Sequence, residues 1–305
     1  MTITDELYAL FRRNFPYIIR EEATARAILS HPDNRIIERR DDSGRLYAAS
    51  VVNANAIILL AVDEDHRKTG VGSALLAESE DIIRTSGHTS AVIGAGFDYL
   101  CPGVPVREKP HPETLLRENI DPRIPENNAS FFIKRGYRHS WNDCNCFDMR
   151  QPMENCVLTE HNIGDTVSGV LYRWAEPSDY TGVLACTDDA EPNFTKYYAA
   201  GDFYREDSPE RTLIALIGDE IVGTLVVSRE TEAAGIGSIG CTAVKNACQG
   251  RHIASNMIML GAKSLHAAGM KEGYLGYTYS GLDKLYGRAG YAVSALYFMA
   301  EKTLG

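Results

Sequence analysis

The sequence predicts an α/β protein built from two similar halves, and three observations lead to that fold class. First, an apolar run from Ala56 to Val62 predicts a buried strand. This strand is followed by a turn with two glycines and by an amphipathic helix that ends at Gly87. Second, a strand, a turn and a helix of similar pattern recur over residues 236–269. Third, 305 residues suit two domains of about 150 residues, each large enough to bury a core.

Composition restricts the classes of partner. Hydrophobic residues make up 44% and charged residues 24% of the chain, as in an ordinary soluble protein. The formal net charge of −10 provides no general basic surface, so we expect no nucleic-acid partner. No apolar run approaches the roughly 20 residues of a membrane span and no signal peptide opens the chain, so we expect no membrane partner. Seven scattered cysteines favour reduced thiols and a cytoplasmic location.

The first domain is predicted over residues 1–150. It carries 28 more residues than the second copy between matching motifs, and the surplus maps to about Asp98–Glu126, which holds six of the 12 prolines. Such an irregular segment is typical of a lid or binding loop, and a cover over an apolar surface or domain interface is an equal alternative. The predicted elements are helices over residues 3–14 and Glu21–Leu29, a hairpin of Arg35–Glu38 with Leu46–Asn53, the strand Ala56–Val62 with its helix, the strand Ala91–Phe97, and closing strands within Tyr137–Met149.

A linker without clear periodicity is predicted over residues 151–166, and the second domain over residues 167–305. Its first strand is Val170–Trp174, and Ser178 is a candidate N-cap for the helix that follows. A hairpin turns at Gly218, and the alternating strand Val293–Ala300 closes the domain.

The turn after Val62 has the residue types of an anion site. A strand, a glycine-bearing turn and a helix in this order point unpaired backbone N–H groups outward, and the helix dipole adds about half a positive charge. Gly70 and Gly72 keep side chains away from an approaching phosphate, although ordinary loop chemistry would also explain two glycines here. The candidate cofactor-binding residues are Val62, Arg67, Lys68, Thr69, Gly70, Val71, Gly72 and Ser73.

A second copy of the pattern strengthens the functional interpretation. When Gly72 is aligned with Ala254, Arg67 falls on Gln249, and each helix reaches its stop glycine, Gly87 or Gly269, after 15 positions. A third ordered match pairs the segment 131–137 with the segment 285–291. The second set of candidate cofactor-binding residues is Val244, Gln249, Gly250, Arg251, His252, Ile253, Ala254 and Ser255.

The first copy has the pattern Arg-x-x-Gly-x-Gly after a strand, the second has Gln-x-x-His-x-Ala at the matching place, and the second copy closes with Tyr-x-x-x-Gly-Tyr. Together these motifs resemble the GNAT acetyltransferase family, whose pattern accepts Arg or Gln first and Gly or Ala last. The resemblance implies two tandem domains, each a mixed, mostly antiparallel sheet flanked by helices. It further implies acetyl-CoA as acyl donor, with its diphosphate on the loop and its pantetheine arm along a splayed strand. The acceptor would be a primary amine of a small molecule or peptide, and the oligomeric state stays open.

In the same family a tyrosine four residues before the closing glycine often protonates the departing thiolate, because a phenol can serve as a general acid beside sulfur. The resemblance assigns this role to Tyr286, whereas the first copy has Phe132, which carries no proton to donate. As an alternative, Tyr286 is a half-buried aromatic residue of an amphipathic helix. The second copy also has His252 where the family has its middle glycine, and histidine tolerates a left-handed backbone better than most residues.

Other chemistry finds less support in the sequence. No general base can be assigned, since Asp63 and Glu64 are expected to be solvated turn residues and Glu230 and Glu232 are weak candidates. Cys241 is expected to be a small core residue rather than a nucleophile. Cys144 and Cys146 have no second cysteine pair or histidine cluster nearby, so we expect no metal.

Taken together, the residues and the resemblance predict an acyl-CoA-dependent N-acyltransferase with its chemistry in the second domain. The alternative is a non-catalytic acyl-CoA-binding or regulatory protein in which both copies have decayed. An aminoacyl-transferring enzyme with paired domains of this kind is a third possibility without a sequence feature of its own.

Overall fold

The computed structural model describes residues 2–16, 18–94, 100–106, 128–140, 146–199, 204–279 and 281–305. The chain forms two compact units: unit 1 is Met1–Asp148 together with Val293–Gly305, and unit 2 is Met149–Ala292. Both have helices on a mixed, mostly antiparallel sheet, as the sequence predicted. None of the helices in the described ranges has the length and apolar character that a membrane crossing needs.

Unit 1 has a six-stranded sheet in the order β1-β2-β3-β4-β15-β6, in which only β3 and β4 are parallel. The helix α3 covers this sheet with buried Leu75, Leu76 and Ile83, as expected of the amphipathic helix that the sequence predicted. The elements are α1 (Ile3–Asn14), α2 (Glu22–Leu29), β1 (Arg35–Arg40), β2 (Leu46–Asn53), β3 (Ala56–Val62), α3 (Val71–Thr85), β4 (Ser90–Ile93), β5 (Val104–Pro105), α4 (Ala129–Ile133), β6 (Arg138–His139), the start of β7 (Cys146–Pro152), β14 (Ala292–Phe298) and β15 (Ala300–Thr303).

Unit 2 repeats the arrangement with its strands in the order β13-β12-β11-β10-β9-β8. Pro177–Asp179 forms a 3-10 turn before α5, and its Asp179 carboxylate accepts the Glu176 N–H, so Ser178 is not the N-cap that the sequence predicted. The elements are β8 (Thr166–Val167), β9 (Val170–Trp174), α5 (Tyr180–Ala190), α6 (Thr195–Tyr198), β10 (Glu210–Ile217), β11 (Glu220–Ser228), β12 (Ile236–Val244), α7 (Ile253–Ala267), β13 (Glu272–Tyr279) and α8 (Asp283–Gly287).

The end of the chain belongs to unit 1, which differs from the predicted domain 167–305. Strand β15 lies between β4 and β6 and pairs antiparallel with both, from Ala300 opposite Ile93 to Thr303 opposite Ser90. The Lys302 ammonium also binds both carboxylate oxygens of Glu80 on α3, at 2.9 and 2.8 Å. Without these residues the sheet of unit 1 would lack an internal strand.

The predicted linker and the predicted insertion differ in how much of them the structure describes. Residues 151–166 belong to unit 2, where the Lys263 ammonium donates to the carbonyls of Thr159 and His161 at 2.9 Å each. Most of the insertion predicted at 98–126 lies outside the described residues. Of its described residues, 100–106, Val104–Pro105 form β5, which pairs with β14 inside unit 1.

Candidate active site

The two predicted loops have the same local structure. A 3-10 turn follows each strand, at Glu64–His66 in unit 1 and Asn246–Cys248 in unit 2, and helices α3 and α7 both contain 15 residues. The 3-10 turn and the helix of unit 2 each start 182 positions after their counterparts in unit 1 (64 to 246 and 71 to 253). The tandem repeat that the sequence motifs predicted is therefore a repeat of backbone structure.

Both motif strands separate from their parallel neighbour before they reach the loop. In unit 1, β3 pairs with β4 only at Ala56 and Ile57, and in unit 2, β12 pairs with β13 only at Ile236 and Gly237. Among the described residues, the remainder of each strand has no backbone pair with its parallel neighbour, and the backbone groups on that edge need hydrogen-bond partners. An extended ligand arm can pair with such an edge as an added strand does.

Each loop contains two residues with left-handed backbone, and the copies distribute their glycines differently between them. In unit 1 these residues are Lys68 (φ +62°) and Gly70 (φ +94°); in unit 2 they are Gly250 (φ +76°) and His252 (φ +62°). Glycine adopts this conformation at no steric cost, and histidine is among the more tolerant of the other residues. His252 therefore sits at a left-handed position, and the loop keeps the shape of its counterpart.

A cleft of about 350 Å³ opens at the start of α7 in unit 2. Of the residues predicted to bind the cofactor in this copy, Arg251 is not part of the lining. Lys284, Leu285 and Arg288 come from α8 and the residue after it, which the sequence analysis had not proposed. The lining consists of Val244, Cys248, Gln249, Gly250, His252, Ile253, Ala254, Ser255, Gly281, Lys284, Leu285 and Arg288. We call this the α7 cleft.

The α7 cleft has the electrostatics of an anion site. Helix α7 has no acidic residue in its first turn and no side-chain cap, so its first N–H groups stay available. Arg288 reaches this turn, where its Nη1 donates to Ser255 Oγ at 3.2 Å, and Lys284 adds a second cation. The i, i+4 spacing of Lys284 and Arg288 on one helical face is the signal by which the sequence could have shown them. Two cations beside a helix N-terminus favour a phosphate ligand.

The corresponding loop of unit 1 is covered by side chains. The Phe131 ring lies over Gly72, so that a Cβ on this glycine would be 3.6 Å from Phe131 Cζ. The Arg135 guanidinium stacks on Phe131 at 3.8 Å from the ring centre, and its Nη2 donates to Ser73 Oγ at 2.7 Å. Val71 and Thr69 complete this loop, with the Thr69 hydroxyl donating to the His66 carbonyl at 2.7 Å.

Arg67 and Asp63 are engaged within the fold of unit 1. Arg67 Nε donates to the Val62 carbonyl and its Nη2 to Asn14 Oδ1, both at 2.8 Å, so its guanidinium ties β3 to α1. Asp63 is only 8% exposed, and it pairs with Arg13 at 3.0 Å and Arg45 at 2.9 Å. The expectation of a solvated Asp63 is therefore wrong, because arginines satisfy the carboxylate as it is removed from water.

Tyr286 lies on α8 against the middle of β12. The phenol is 7% exposed, and its oxygen is 3.4 Å from Thr242 Oγ1. Burial raises the pKa of Tyr286 above its ordinary value near 10, while the Thr242 hydroxyl lowers it. The phenol therefore stays protonated at neutral pH, the state that a general acid needs.

The aromatic residue at the matching place in unit 1 has the same packing but a different chemistry. Phe132 is also 7% exposed, and its ring meets Tyr137 edge to face at 5.6 Å, as Tyr286 meets Tyr291 at 6.4 Å. Among the described residues of unit 1, Phe132 thus fills the place of the tyrosine without a proton to give.

The remaining candidates have no catalytic geometry in the described part of the chain. Cys241 is partly buried in β12, and burial raises the pKa of its thiol to about 12, so it is not a thiolate at neutral pH. Glu230 and Glu232 lie between β11 and the start of β12, about 20 Å or more along the strand from the loop. The described residues hold no group of three or more histidine, cysteine or acidic side chains that could bind a metal, and Cys144 lies outside them.

Two sheets with splayed strands, each leading through a left-handed turn into a helix, define a tandem GNAT fold. Residues 170–291 match the model of the Acetyltransferase (GNAT) family. This match, together with the fold that the whole chain shares with the solved structures described next, confirms the resemblance to the GNAT family that the sequence motifs predicted.

Solved structures share the two-domain architecture at low sequence identity. One is the GCN5-related glucosamine N-acetyltransferase region of a fungal multi-domain GH3 beta-N-acetylglucosaminidase (TM-score 0.70, 16% identity, 98% of this chain and 36% of that one). Another is a GCN5-related N-acetyltransferase from Sphaerobacter thermophilus (TM-score 0.67, 18% identity, 99% and 94%). A third is a tandem GNAT protein from the clavulanic acid biosynthesis pathway (TM-score 0.60, 14% identity, 99% and 95%).

The present chain spans about a third of the first of these proteins. No curated protein matches it in sequence. At these identities the likeness establishes the fold, and the activity has to be argued from the site.

Proposed function

We propose that unit 2 is an N-acetyltransferase that moves an acetyl group from acetyl-CoA to a primary amine. The observation that carries this proposal is the GNAT match over residues 170–291, because that segment contains both the α7 cleft and Tyr286. The family match supports acyl transfer in general, and the donor and the acceptor are the proposed parts.

Residues of unit 2 have distinct roles in this proposal. The backbone amides from Gly250 to Ser255 hold the diphosphate, and Lys284 and Arg288 neutralise its charge. The unpaired edge of β12 binds the pantetheine arm. When bound, acetyl-CoA supplies the thioester whose carbonyl carbon the neutral amine attacks. Tyr286 then gives its proton to sulfur as the C–S bond breaks, while the amine loses a proton to solvent.

The proposal is tested by thiol release from acetyl-CoA in the presence of different amines. The panel contains amino sugars, because one structural neighbour is described as a glucosamine N-acetyltransferase region, and also amino acids, polyamines and short peptides. We expect amine-dependent thiol release for at least one class. CoA binding in calorimetry without release for any amine would instead support the non-catalytic acyl-CoA-binding alternative.

Unit 1 is proposed to bind CoA without transferring an acetyl group. Its loop keeps Gly70 and Gly72, and Arg135 puts a cation at the start of α3, yet Phe132 cannot protonate a thiolate. Ser73 and Ser255 are the matching third residues of α3 and α7. A glutamate there favours the helix and repels a phosphate, so Ser73→Glu and Ser255→Glu should each remove one CoA binding event while the fold remains. A wild-type protein with a single event, lost only in Ser255→Glu, would refute CoA binding by unit 1.

The cellular setting is part of the same proposal. The six cysteines among the described residues are free thiols, which supports a reducing compartment such as the cytoplasm. We propose a small-molecule or peptide amine as acceptor, with neither nucleic acid nor membrane as partner.

A further inference from the structure

The phenol of Tyr286 contacts β12 through a threonine hydroxyl, and a second tyrosine binds the strand one residue earlier. Its oxygen is 3.4 Å from Thr242 Oγ1, within hydrogen-bond reach. One residue earlier, the Cys241 carbonyl accepts a hydrogen bond of 2.6 Å from the hydroxyl of Tyr198, whose side chain is completely buried on α6. A residue of α6 therefore holds the strand at the point where the strand contacts the candidate acid.

The backbone of β12 has a bulge at this point. Val226 pairs with Gly240 and Thr224 with Ala243, so Cys241 and Thr242 together oppose the single residue Leu225. Cys241 has a left-handed φ of +49°, which a residue other than glycine adopts only where its surroundings hold it. A bulge changes which side chains share a face of the sheet, and here it determines where the Thr242 hydroxyl points.

Unit 1 lacks both members of the hydroxyl pair. Leu60 occupies the place of Thr242, 182 positions earlier, and Phe132 occupies the place of Tyr286. The bulge of its strand β3 lies elsewhere, at Ile58, which is the residue left over between the pairs Val51–Leu59 and Val52–Ile57. The two hydroxyls are thus present together in one copy and replaced together by apolar side chains in the other.

We propose that Thr242 is a positioning residue for Tyr286 and that Tyr198 keeps Thr242 in place through the bulge. This inference rests on the proposed function. The Thr242 hydroxyl donates to the phenol oxygen, so the phenol proton is left to point towards the departing sulfur. As the C–S bond breaks, that proton moves to sulfur, and the tyrosinate, which Thr242 stabilises, regains a proton from solvent.

The titratable neighbours of Tyr286 explain why one hydroxyl matters. The titratable groups that face the phenol are Cys241, Tyr198 and Tyr291, and burial raises the pKa of each. All three are neutral at pH 7, so none of them stabilises a tyrosinate by its charge. The Thr242 hydroxyl is the neighbour that lowers the pKa of Tyr286 against the effect of burial.

The test compares Thr242→Val, which keeps the shape and removes the hydroxyl, with Thr242→Ser, which keeps the hydroxyl. One hydrogen bond of ordinary strength corresponds to about a five- to tenfold loss of kcat in Thr242→Val, with KM for acetyl-CoA unchanged. Thr242→Ser should retain kcat within about twofold. In a Tyr286→Phe background, Thr242→Val should have no further effect, because its partner is already absent.

Ser238→Ala is the matched control, since it removes a hydroxyl from the same strand at a position that pairs with Ser228. It should leave kcat unchanged. Failure of Thr242→Ser to restore kcat, or the same loss from Thr242→Val with and without the Tyr286 hydroxyl, would overturn the inference.

A second readout needs no acetyl transfer. The carbon-13 resonance of Tyr286 Cζ, identified by its loss in Tyr286→Phe, should shift at pH 7 in Thr242→Val and Tyr198→Phe. It should return to the wild-type position in Thr242→Ser. An unmoved resonance in Thr242→Val refutes the positioning role, whereas absence of thiol release with every amine refutes only the proposed function.

Discussion

The two motif copies share the backbone of their loop and helix and differ in the side chains around it. Both have a splayed strand, a 3-10 turn, two left-handed residues and a 15-residue helix. In unit 2 the helix begins at an open cleft with a buried tyrosine and a threonine beside its strand, whereas in unit 1 Phe131 and Arg135 cover the helix start. The loop is therefore a property of the backbone, and the two copies differ in a few side chains around it.

The largest expected effect concerns the phenol that only unit 2 has at this place. Tyr286→Phe should lower kcat by about 10²–10⁴-fold, or roughly 3–5 kcal/mol of barrier. CoA affinity should not change, because Tyr286 does not line the α7 cleft. Since burial raises the pKa of Tyr286, the phenol should remain protonated up to at least pH 10. We therefore expect kcat to fall through loss of this proton only above that pH.

The reciprocal change in unit 1 is the control for that variant. Phe132→Tyr with Leu60→Thr adds both hydroxyls to unit 1, and we expect little activity in a Tyr286→Phe background, because acceptor contacts differ as well. Wild-type turnover of Tyr286→Phe would make the residue a packing element and would remove the main functional difference between the copies.

The second prediction concerns how unit 1 completes its sheet. Lys302 on β15 binds Glu80 on α3, and their side chains are only 26% and 12% exposed. Glu80→Gln or Lys302→Met should destabilise unit 1 by about 1–3 kcal/mol, because each leaves a partly buried group without its partner. Denaturant titration should show the loss in the transition of unit 1.

The double variant Glu80→Gln with Lys302→Met should lose less than the sum of the single variants. Arg205→Ala breaks an ion pair of unit 2 whose side chains are 65% and 81% exposed, and should change stability by less than about 0.5 kcal/mol. An equal effect of the buried and exposed pairs would show that the Lys302–Glu80 contact does not hold β15.

Local structure was predictable wherever a pattern of side chains determines it. The bounds of α1, β2, β3 and β9 agree with the sequence predictions, because capping residues, turns and apolar periodicity mark them locally. The destination of the last strand was not predictable. Val293–Ala300 has the alternation of a strand that could close either sheet, and it is the pairing of β15 with β4 and β6 that places Ala300–Thr303 in the sheet of unit 1.

The candidate site likewise has a part that the sequence predicted and a part that it did not. Gly70, Gly250 and the helix starts follow from turn chemistry, and the phenol of Tyr286 follows from the closing motif. Side chains brought in from elsewhere in the sequence, such as Tyr198 on Cys241, carry no local pattern that reveals them. Asp63 was placed in solvent for the same reason, since Arg13 lies 50 positions away in sequence.

The third prediction concerns the cations beside the two helix starts. Arg288→Ala should weaken CoA binding to unit 2 by about tenfold, the effect of one charge-assisted hydrogen bond, and the loss should shrink at high salt. Calorimetry at two ionic strengths measures both. Arg135→Ala is the matching variant in unit 1, where it removes the guanidinium stacked on Phe131. Unchanged affinity in Arg288→Ala at low salt would remove α8 from the cofactor site.

The smallest expected effect concerns the left-handed positions at which one copy has glycine and the other does not. Lys68→Gly should stabilise unit 1 by up to about 1 kcal/mol, since a non-glycine residue pays a steric cost at φ +62°. His252→Gly should stabilise unit 2 less, because histidine is enriched in this conformation and glycine loses more entropy on folding. CoA affinity should stay the same in His252→Gly if backbone amides alone hold the phosphate. A loss of more than about threefold, beyond the change that a relaxed loop explains, would mean that the His252 ring donates to the phosphate, and unit 2 would then have gained a ligand where unit 1 kept a glycine.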